Sequence, residues 1–275
     1  MRIQLISDLH LENYPSFMPE AARDVDILIL AGDVGSYQAG SLLKDDDFGL
    51  GRFSPRYPGA PWPRVFYVPG NHEFDSLDYD ATYLRLRATC EALGIEWLDR
   101  ETIIVGAVRF VGTTLWSDFE ALAASAATEA EHTKALEKAY RAANFYLSKN
   151  TTFRNGKPML AEDMRVLAQE CQRWLSGALG MPFDGTTVTV THFAPTLRSA
   201  DPRYGKSAGT AGFCNALDHL LPLSQVWMHG HLHCANDFVA TVEGQAFSCR
   251  VVANPRGYPE KGEDKAFQNR FVLEV

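Results

Sequence analysis

The stretch Asp-Ile-Leu-Ile-Leu-Ala-Gly-Asp at residues 26–33 indicates the fold class. Its apolar part is short, continuous and rich in branched side chains, and it stops at a glycine and an aspartate. This pattern predicts a β-strand that is buried on both faces, as in a sheet covered by helices. Two further stretches have the same form, since residues 2–7 precede Asp8 and residues 65–68 precede Pro69. The sequence therefore predicts an α/β fold.

Outward from these strands, the chain alternates between helical and strand patterns. Apolar residues at helical spacing predict helices over residues 79–94 and 161–179, and the Ala-, Glu- and Lys-rich composition of residues 118–147 favours a third. Short apolar stretches predict further strands at residues 96–98, 102–105, 108–112, 187–191, 225–228, 238–242, 246–253 and 271–275.

Composition and charge limit the class of protein. The 275 residues carry a net charge of −8, which counts against wrapping of nucleic acid because that requires a basic surface. Five widely spaced cysteines without a Cys-x-x-Cys pair disfavour a disulfide framework, and a reducing cytoplasmic location is expected. No stretch is long enough to span a bilayer. We expect one domain over residues 1–275, with a lid loop at residues 36–63 and a helical insertion at residues 118–180.

Five polar clusters lie where an apolar strand pattern ends. They are Asp8 with His10, Asp33, Asn71 with His72 and Glu73, His192, and His231 with His233. Ligands gather beyond the carboxyl ends of the strands in sheets of this kind. Asp, Asn and His without Cys form a mixed oxygen and nitrogen donor set, which suits Mn, Fe, Co or Zn. The clusters therefore predict a metal site.

The spacing within the clusters indicates which residues share an ion. Residues two apart at the end of an extended segment point the same way, so Asp8 and His10 can hold one ion together, as can His231 and His233. Two ions about 3.5–4 Å apart require a bridging carboxylate. Asp33, which is alone in its cluster, is the natural candidate for that bridge.

The ordered series Asp-x-His, Gly-Asp, Gly-Asn-His-Glu, His and Gly-His-x-His, from Asp8 to His233, resembles the calcineurin-like metallophosphoesterase superfamily. The resemblance implies a four-layer α/β sandwich of two mixed β-sheets flanked by helices. It also implies a dinuclear metal-dependent phosphoesterase, in which a hydroxide that bridges two ions of Mn, Fe or Zn attacks a phosphate ester.

Carried over residue by residue, the resemblance implies a role for each of eight side chains. The first metal would be bound by Asp8, His10, Asp33 and His233. The second would be bound by Asp33, Asn71, His192 and His231. The remaining member, His72, would protonate the leaving group as general acid, and the unperturbed pKa of histidine suits that task.

The sequence departs from one branch of the superfamily. After Asp33 it continues Val34-Gly35-Ser36, without the Asp-Arg-Gly whose arginine holds phosphate in the protein serine/threonine phosphatases. The chain is more similar to the small bacterial phosphoesterases, including those that act on cyclic nucleotides and other small diesters. Since monoester dianions need more cationic help, the resemblance favours a phosphodiesterase acting on a small-molecule phosphate ester. A phosphomonoesterase for small metabolites or phosphopeptides is the alternative, and a non-catalytic interaction module is a third hypothesis.

Several residues near the clusters have two interpretations. Arg198 and Arg203 could bind a substrate phosphate, since arginine fits phosphate bidentately, or they could be surface charges. Glu73 could orient His72 or be a solvated carboxylate in a turn. Asn254 and Arg256 belong to the stretch Asn-Pro-Arg-Gly-Tyr at residues 254–258, which is similar to a bacterial branch of the superfamily. They could support the site or only shape a turn.

Overall fold

The computed structural model describes residues 1–149, 152–241 and 248–275. Within these ranges the strands are β1 (Arg2–Ile6), β2 (Ile27–Ala31), β3 (Val65–Val68), β4 (Glu96–Trp97), β5 (Glu101–Val105), β6 (Val108–Thr113), β7 (Phe153–Arg154), β8 (Lys157–Pro158), β9 (Thr186–Thr191), β10 (Val226–His229), β11 (Asn236–Ala240), β12 (Cys249–Ala253) and β13 (Val272–Glu274). The α-helices are α1 (Tyr79–Leu93), α2 (Glu129–Leu147) and α3 (Ala161–Gly180).

The strands form two large mixed sheets and one short hairpin. The first sheet has the order β13-β1-β2-β3-β4, in which β1 to β4 are parallel and β13 is antiparallel. The second has the order β11-β12-β10-β9-β6-β5, in which the four central strands are parallel and both edge strands are antiparallel. The predicted α/β fold with two mixed sheets and flanking helices is confirmed. In each sheet the carboxyl ends of the parallel strands therefore meet at one edge.

Alternate side chains of the strands fill two different cores. Side chains from both sheets, among them Ile29 and Met228, form the core between the sheets, where the rings of Phe66 and Phe110 lie 5.0 Å apart. Side chains of the opposite parity, such as Leu30, pack into a second core with the helices. Because each strand faces apolar residues on both sides, its sequence is continuously apolar.

The helices agree with the sequence pattern at two of three places. Helix α1 follows Asp78, whose carboxylate accepts a hydrogen bond from Ala81 N at 3.1 Å, and it ends at Gly94 with φ +74°. Helix α3 also occupies its predicted position. The helix predicted from residue 118 begins only at Glu129, because Asp118 binds Glu120 N and Gln172 Nε2 and forms a turn instead.

Parts of the predictions lie outside the described residues. They are residues 150 and 151 of the helical insertion, residue 242 of one predicted strand, and residues 246 and 247 of the next. The proposed lid at residues 36–63 is described, and Phe48, Leu50, Phe53 and Trp62 anchor it in the core that contacts the helices. Its action as a lid stays a prediction. Across the described ranges, no helix combines the length and apolarity that crossing a lipid bilayer requires.

Candidate metal centre

The five predicted clusters lie together at the carboxyl ends of β1, β2, β3, β9 and β10. One ligand atom from each member of a first group lies within 4.8 Å of the others, and the group consists of Asp8, His10, Asp33 and His233. A second group meets the same distance limit and consists of Asp33, His192 and His231. The structure thus brings together two groups of donors that could each hold a metal ion, and one carboxylate belongs to both.

Asp33 is fully buried at the point where the two groups meet. Its Oδ1 accepts a hydrogen bond from the backbone N–H of His72 at 2.9 Å. Its Oδ2 lies 3.3 Å from His192 Nε2 and 4.0 Å from His72 Nε2, and it accepts no well-formed hydrogen bond from the described residues. A buried carboxylate oxygen of this kind is a fitting ligand for a cation.

Ring nitrogens of four histidines lie in the site. His192 Nδ1 donates to the carbonyl of Ala31 at 2.9 Å, which leaves Nε2 for an ion. Nε2 of His10 lies only 3.0 Å from Nε2 of His233. His231 Nε2 is buried and has no hydrogen-bond partner among the described residues. Converging nitrogen and oxygen donors, of which His231 Nε2 and Asp33 Oδ2 have no hydrogen-bond partner among the described residues, fit a site for first-row metals.

Asn71 completes the second group by a direct contact. Its Oδ1 lies 3.2 Å from His192 Nε2, so it can act as a neutral oxygen ligand beside the shared carboxylate. The ring of His231 packs against two aromatic rings, with centroids 4.0 Å from Phe193 and 5.0 Å from Phe213. The ring centroid of His231 also lies 5.0 Å from that of His192, so these contacts place His231 beside the second group.

The ligand-bearing turns have an unusual backbone conformation. Positive φ values between +48° and +69° occur at five of the seven predicted ligands, namely Asp8, His10, Asp33, His231 and His233. Asp and His adopt this left-handed region more readily than most residues, and such strain concentrates at functional sites. Asp8 and His10 therefore converge through a tight turn, and the extended geometry expected from the spacing is wrong. His231 and His233 belong to different groups of ligand atoms, so the prediction that these two histidines hold one ion together is also wrong.

Close approach between the turns requires glycine at two positions. A Cβ atom at Gly70 would lie 2.1 Å from Asp33 Oδ1, and one at Gly32 would lie 2.3 Å from His192 Nδ1. Both side chains are among the candidate ligands. The glycines before Asp33 and Asn71 thus make room for the donors of the neighbouring strand.

Three histidines of the site each contact a carboxylate through Nδ1, which the sequence analysis did not foresee. The pairs are His10–Glu12 at 3.0 Å, His72–Asp75 at 2.7 Å and His233–Glu263 at 2.6 Å. An Nδ1–H donated to a carboxylate fixes the tautomer and leaves Nε2 facing the site. Glu12 and Asp75 follow their histidines by two and three residues, so this local spacing was an available signal.

Glu73 has neither of the roles considered from the sequence. Its carboxylate is buried and accepts hydrogen bonds from the backbone N–H groups of Asp33 at 3.2 Å, Val34 at 2.7 Å and Gly70 at 2.8 Å. Burial and the charge of Asp33 raise the pKa of Glu73 to about 7. Through these hydrogen bonds, Glu73 holds the turn after β2 against the turn after β3.

The two arginines suggested for substrate binding contact other groups. The guanidinium of Arg203 forms an ion pair with Asp201 at 2.6 Å. Arg198 donates to the carbonyl of Val239 at 3.3 Å and lies over the ring of Phe238. Binding of substrate by Arg198 or Arg203 stays a prediction.

The charges in the site shift the pKa values of its histidines in opposite directions. Burial lowers the pKa of His192, but the charge of Asp33 opposes it and raises that pKa to about 9. Burial likewise opposes protonation of His233, but its hydrogen bonds with Asp8 and Glu263 raise the pKa to about 9. Burial and the charge of His192 keep the pKa of His231 well below its usual value. The metal-free site thus holds protons on His192 and His233 at neutral pH.

Metal affinity is expected to increase with pH, because a ring nitrogen must lose its proton before it binds a cation. Below about pH 9 the metal-free protein holds protons on His192 and His233. For each proton released, the dissociation constant for Mn²⁺ is expected to fall about tenfold per pH unit between roughly pH 6.5 and 8.5. Calorimetric titrations in buffers of different ionisation enthalpy measure both the affinity and the protons released. An affinity that is constant over this range would contradict the assignment.

Comparisons with known proteins agree with the fold and the motifs. The sequence model of calcineurin-like phosphoesterases matches residues 1–235. An uncharacterized protein of Acanthamoeba polyphaga mimivirus is 25% identical in an alignment of 265 residues. The match covers 87% of this chain and 87% of the viral protein. The crystal structure of a phosphopantetheinyl hydrolase from Mycobacterium tuberculosis has a similar fold, with a TM-score of 0.68 and 21% identity. That match covers 99% of this chain and 95% of the mycobacterial chain.

Proposed function

This chain belongs to the calcineurin-like phosphoesterase family of hydrolases, and on that premise we propose that it is a two-metal phosphodiesterase acting on small or accessible substrates. The observation that carries the proposal is the position of Asp33, which is buried and shared by two groups of ligand atoms. A carboxylate between two such groups is what a pair of adjacent cations requires.

Seven side chains would hold the two ions. The first position would use Asp8, His10, Asp33 and His233, and the second would use Asp33, Asn71, His192 and His231. When bound, two such ions lower the pKa of a water molecule and neutralise charge on the phosphoryl oxygens. Mn²⁺, Fe and Zn²⁺ all suit this donor set.

His72 is placed to donate a proton to the leaving group. Its Nδ1 lies 2.7 Å from Asp75 Oδ2 in an ion pair, its Nε2 lies 4.0 Å from Asp33 Oδ2, and its side chain remains 21% exposed. Burial opposes protonation of His72, but the charges of Asp75 and Asp33 hold its pKa well above the usual value. These charges therefore favour the protonated form of His72, which can pass a proton from Nε2 to an alkoxide as the ester bond breaks.

The charges around the site support a preference for diesters. Among the described residues, no arginine or lysine side chain forms a hydrogen bond or ion pair with the candidate ligands or with His72. A monoester dianion carries one more negative charge than a diester, and none of the described arginines or lysines is held against the ligands or His72 to help neutralise it. A diester monoanion matches this site better.

With Mn²⁺ bound, kcat/KM for bis-p-nitrophenyl phosphate is expected to exceed that for p-nitrophenyl phosphate by about tenfold or more, because the monoester carries the additional negative charge. A tenfold ratio corresponds to about 1.4 kcal/mol of transition-state stabilisation. Absorbance of released nitrophenolate measures both rates, and protein treated with a chelator is the control. A clear monoester preference would favour the phosphomonoesterase alternative.

The mycobacterial structure is named for phosphopantetheinyl hydrolysis, so a phosphopantetheinyl ester belongs in the substrate screen beside cyclic nucleotides.

A further inference from the structure

A segment near the C-terminus, beyond the region matched by the family sequence model, lies against the first ligand turn. Residues 254–263 follow β12, and we call them the C-terminal strap. The backbone N–H groups of Arg256 and Gly257 donate to the carbonyls of Ser7 and Asp8, each at 3.0 Å. Arg256 Nη1 also donates to the carbonyl of Leu9 at 3.2 Å. The strap therefore holds three consecutive carbonyls of the turn in which Asp8 has its positive φ.

Two side chains of the strap contact candidate ligands directly. The ring of Tyr258 stacks on the ring of His10, with centroids 4.4 Å apart and planes inclined by 24°. Glu263 Oε2 accepts from His233 Nδ1–H at 2.6 Å and from the backbone N–H of Tyr258 at 2.9 Å. Both histidines belong to the same predicted metal position. The strap thus supports the first position and makes no such contact with His192 or His231 among the described residues.

The packing leaves little space between the strap and the ligands. A Cβ atom at Gly257, where φ is +64°, would lie 2.8 Å from Glu263 Oε2 and 3.0 Å from His233 Cβ. Arg256 anchors the strap on its other side, because its guanidinium lies 4.0 Å from the ring of Phe17 and 4.4 Å from that of Tyr14. The strap therefore packs closely enough against His233 to fix the orientation of its ring.

We propose that the C-terminal strap is a positioning element of the first metal position, with Glu263 as the residue that orients His233. Because Nδ1–H of His233 points at Glu263, its Nε2 faces Asp8 Oδ1 at 3.4 Å and His10 Nε2 at 3.0 Å. A carboxylate in this position fixes the tautomer and makes the ring a stronger ligand. This role rests on the two-metal function proposed above.

The test is a titration of metal-free protein with Co²⁺, followed by visible absorption and calorimetry. The Glu263→Ala variant is expected to bind one of two ions about 10–100-fold more weakly and the other unchanged, because removal of such a partner typically weakens metal binding by this factor. Glu263→Gln, which still accepts the hydrogen bond, is expected to lose less affinity. Glu260→Ala is the matched control, since Glu260 is exposed on the same strap and contacts Tyr14.

The outcomes separate a positioning role from a merely structural one. Equal loss at both positions, or unchanged binding in Glu263→Ala, would overturn the inference. If Glu263→Ala does not fold, Tyr258→Leu and Tyr258→Phe decide it, because only the phenylalanine retains stacking on His10. The role is supported if Tyr258→Leu binds one ion more weakly and Tyr258→Phe does not. It is refuted if the two variants bind metal with the same affinity. Wild-type protein that binds fewer than two ions would instead refute the proposed function.

Discussion

Asp33→Asn is expected to remove bound metal from both positions and to lower kcat/KM for a diester by roughly 10³-fold or more, since catalytic electrostatic contacts of this kind are worth several kcal/mol. The physical reason is that one buried carboxylate belongs to both groups of ligand atoms. Asparagine has nearly the same volume and tolerates the positive φ of +53° at this position. It can still accept the hydrogen bond from His72 N. The substitution therefore removes the negative charge and leaves the turn intact.

The measurement is metal content per protein chain after dialysis, with turnover of the diester as a second readout. Asp99→Asn is the matched control, because Asp99 is also a buried aspartate but accepts its hydrogen bonds from Thr113 and Thr114. That variant is expected to lose stability and to retain two ions. If Asp33→Asn lost only one ion, the bridging role of Asp33 would be refuted.

The ligand clusters could be predicted from the sequence because strand ends are local features. The apolar pattern of residues 26–31 defines a strand buried on both faces, and the parallel pairing of β1, β2 and β3 then places the following residues at one edge. Asp8 and Asp33 had to lie there whatever the exact turn geometry. What the spacing could not reveal is that these turns are left-handed.

Some of the groups that contact the site histidines could not be predicted from the sequence. Glu263 lies 30 residues beyond His233, and Tyr258 lies 248 residues beyond His10. Such pairs are created by the packing of the strap on the ligand turn, for which no local pattern exists. The role of Glu73 is hidden from the sequence for the same reason, because its partners Asp33 and Val34 follow a different strand.

The early start predicted for α2 has a different cause. Helix propensity is high in the Ala-rich residues 121–127, but propensity is a weak preference that tertiary contacts override. The side chain of Asp118 accepts hydrogen bonds from Glu120 N and Gln172 Nε2. Thr128 caps the helix by accepting a hydrogen bond from Glu131 N at 3.3 Å. The helix therefore starts where a cap is available.

His72→Ala is expected to lower kcat for a diester with a poor alkyl leaving group by about 10²–10⁴-fold, the usual contribution of general acid catalysis. For a nitrophenolate leaving group, which departs without a proton, the loss is expected to be below about tenfold. Metal content should be unchanged, because the ring of His72 belongs to neither group of ligand atoms. His132→Ala is the control, since His132 pairs with Glu120.

The pH dependence distinguishes proton donation by His72 from a steric effect of its ring. Burial opposes protonation of His72, but Asp75 and Asp33 raise its pKa well above the usual value. An acid must be protonated to act, so turnover of the alkyl ester is expected to fall as pH increases through that pKa. Asp75→Asn removes one of the charges that raise the pKa, and the fall should therefore move to lower pH. In His72→Ala this alkaline fall should disappear. If the profile of Asp75→Asn coincided with that of the wild type, or if His72→Ala slowed both leaving groups equally, His72 would not be the proton donor.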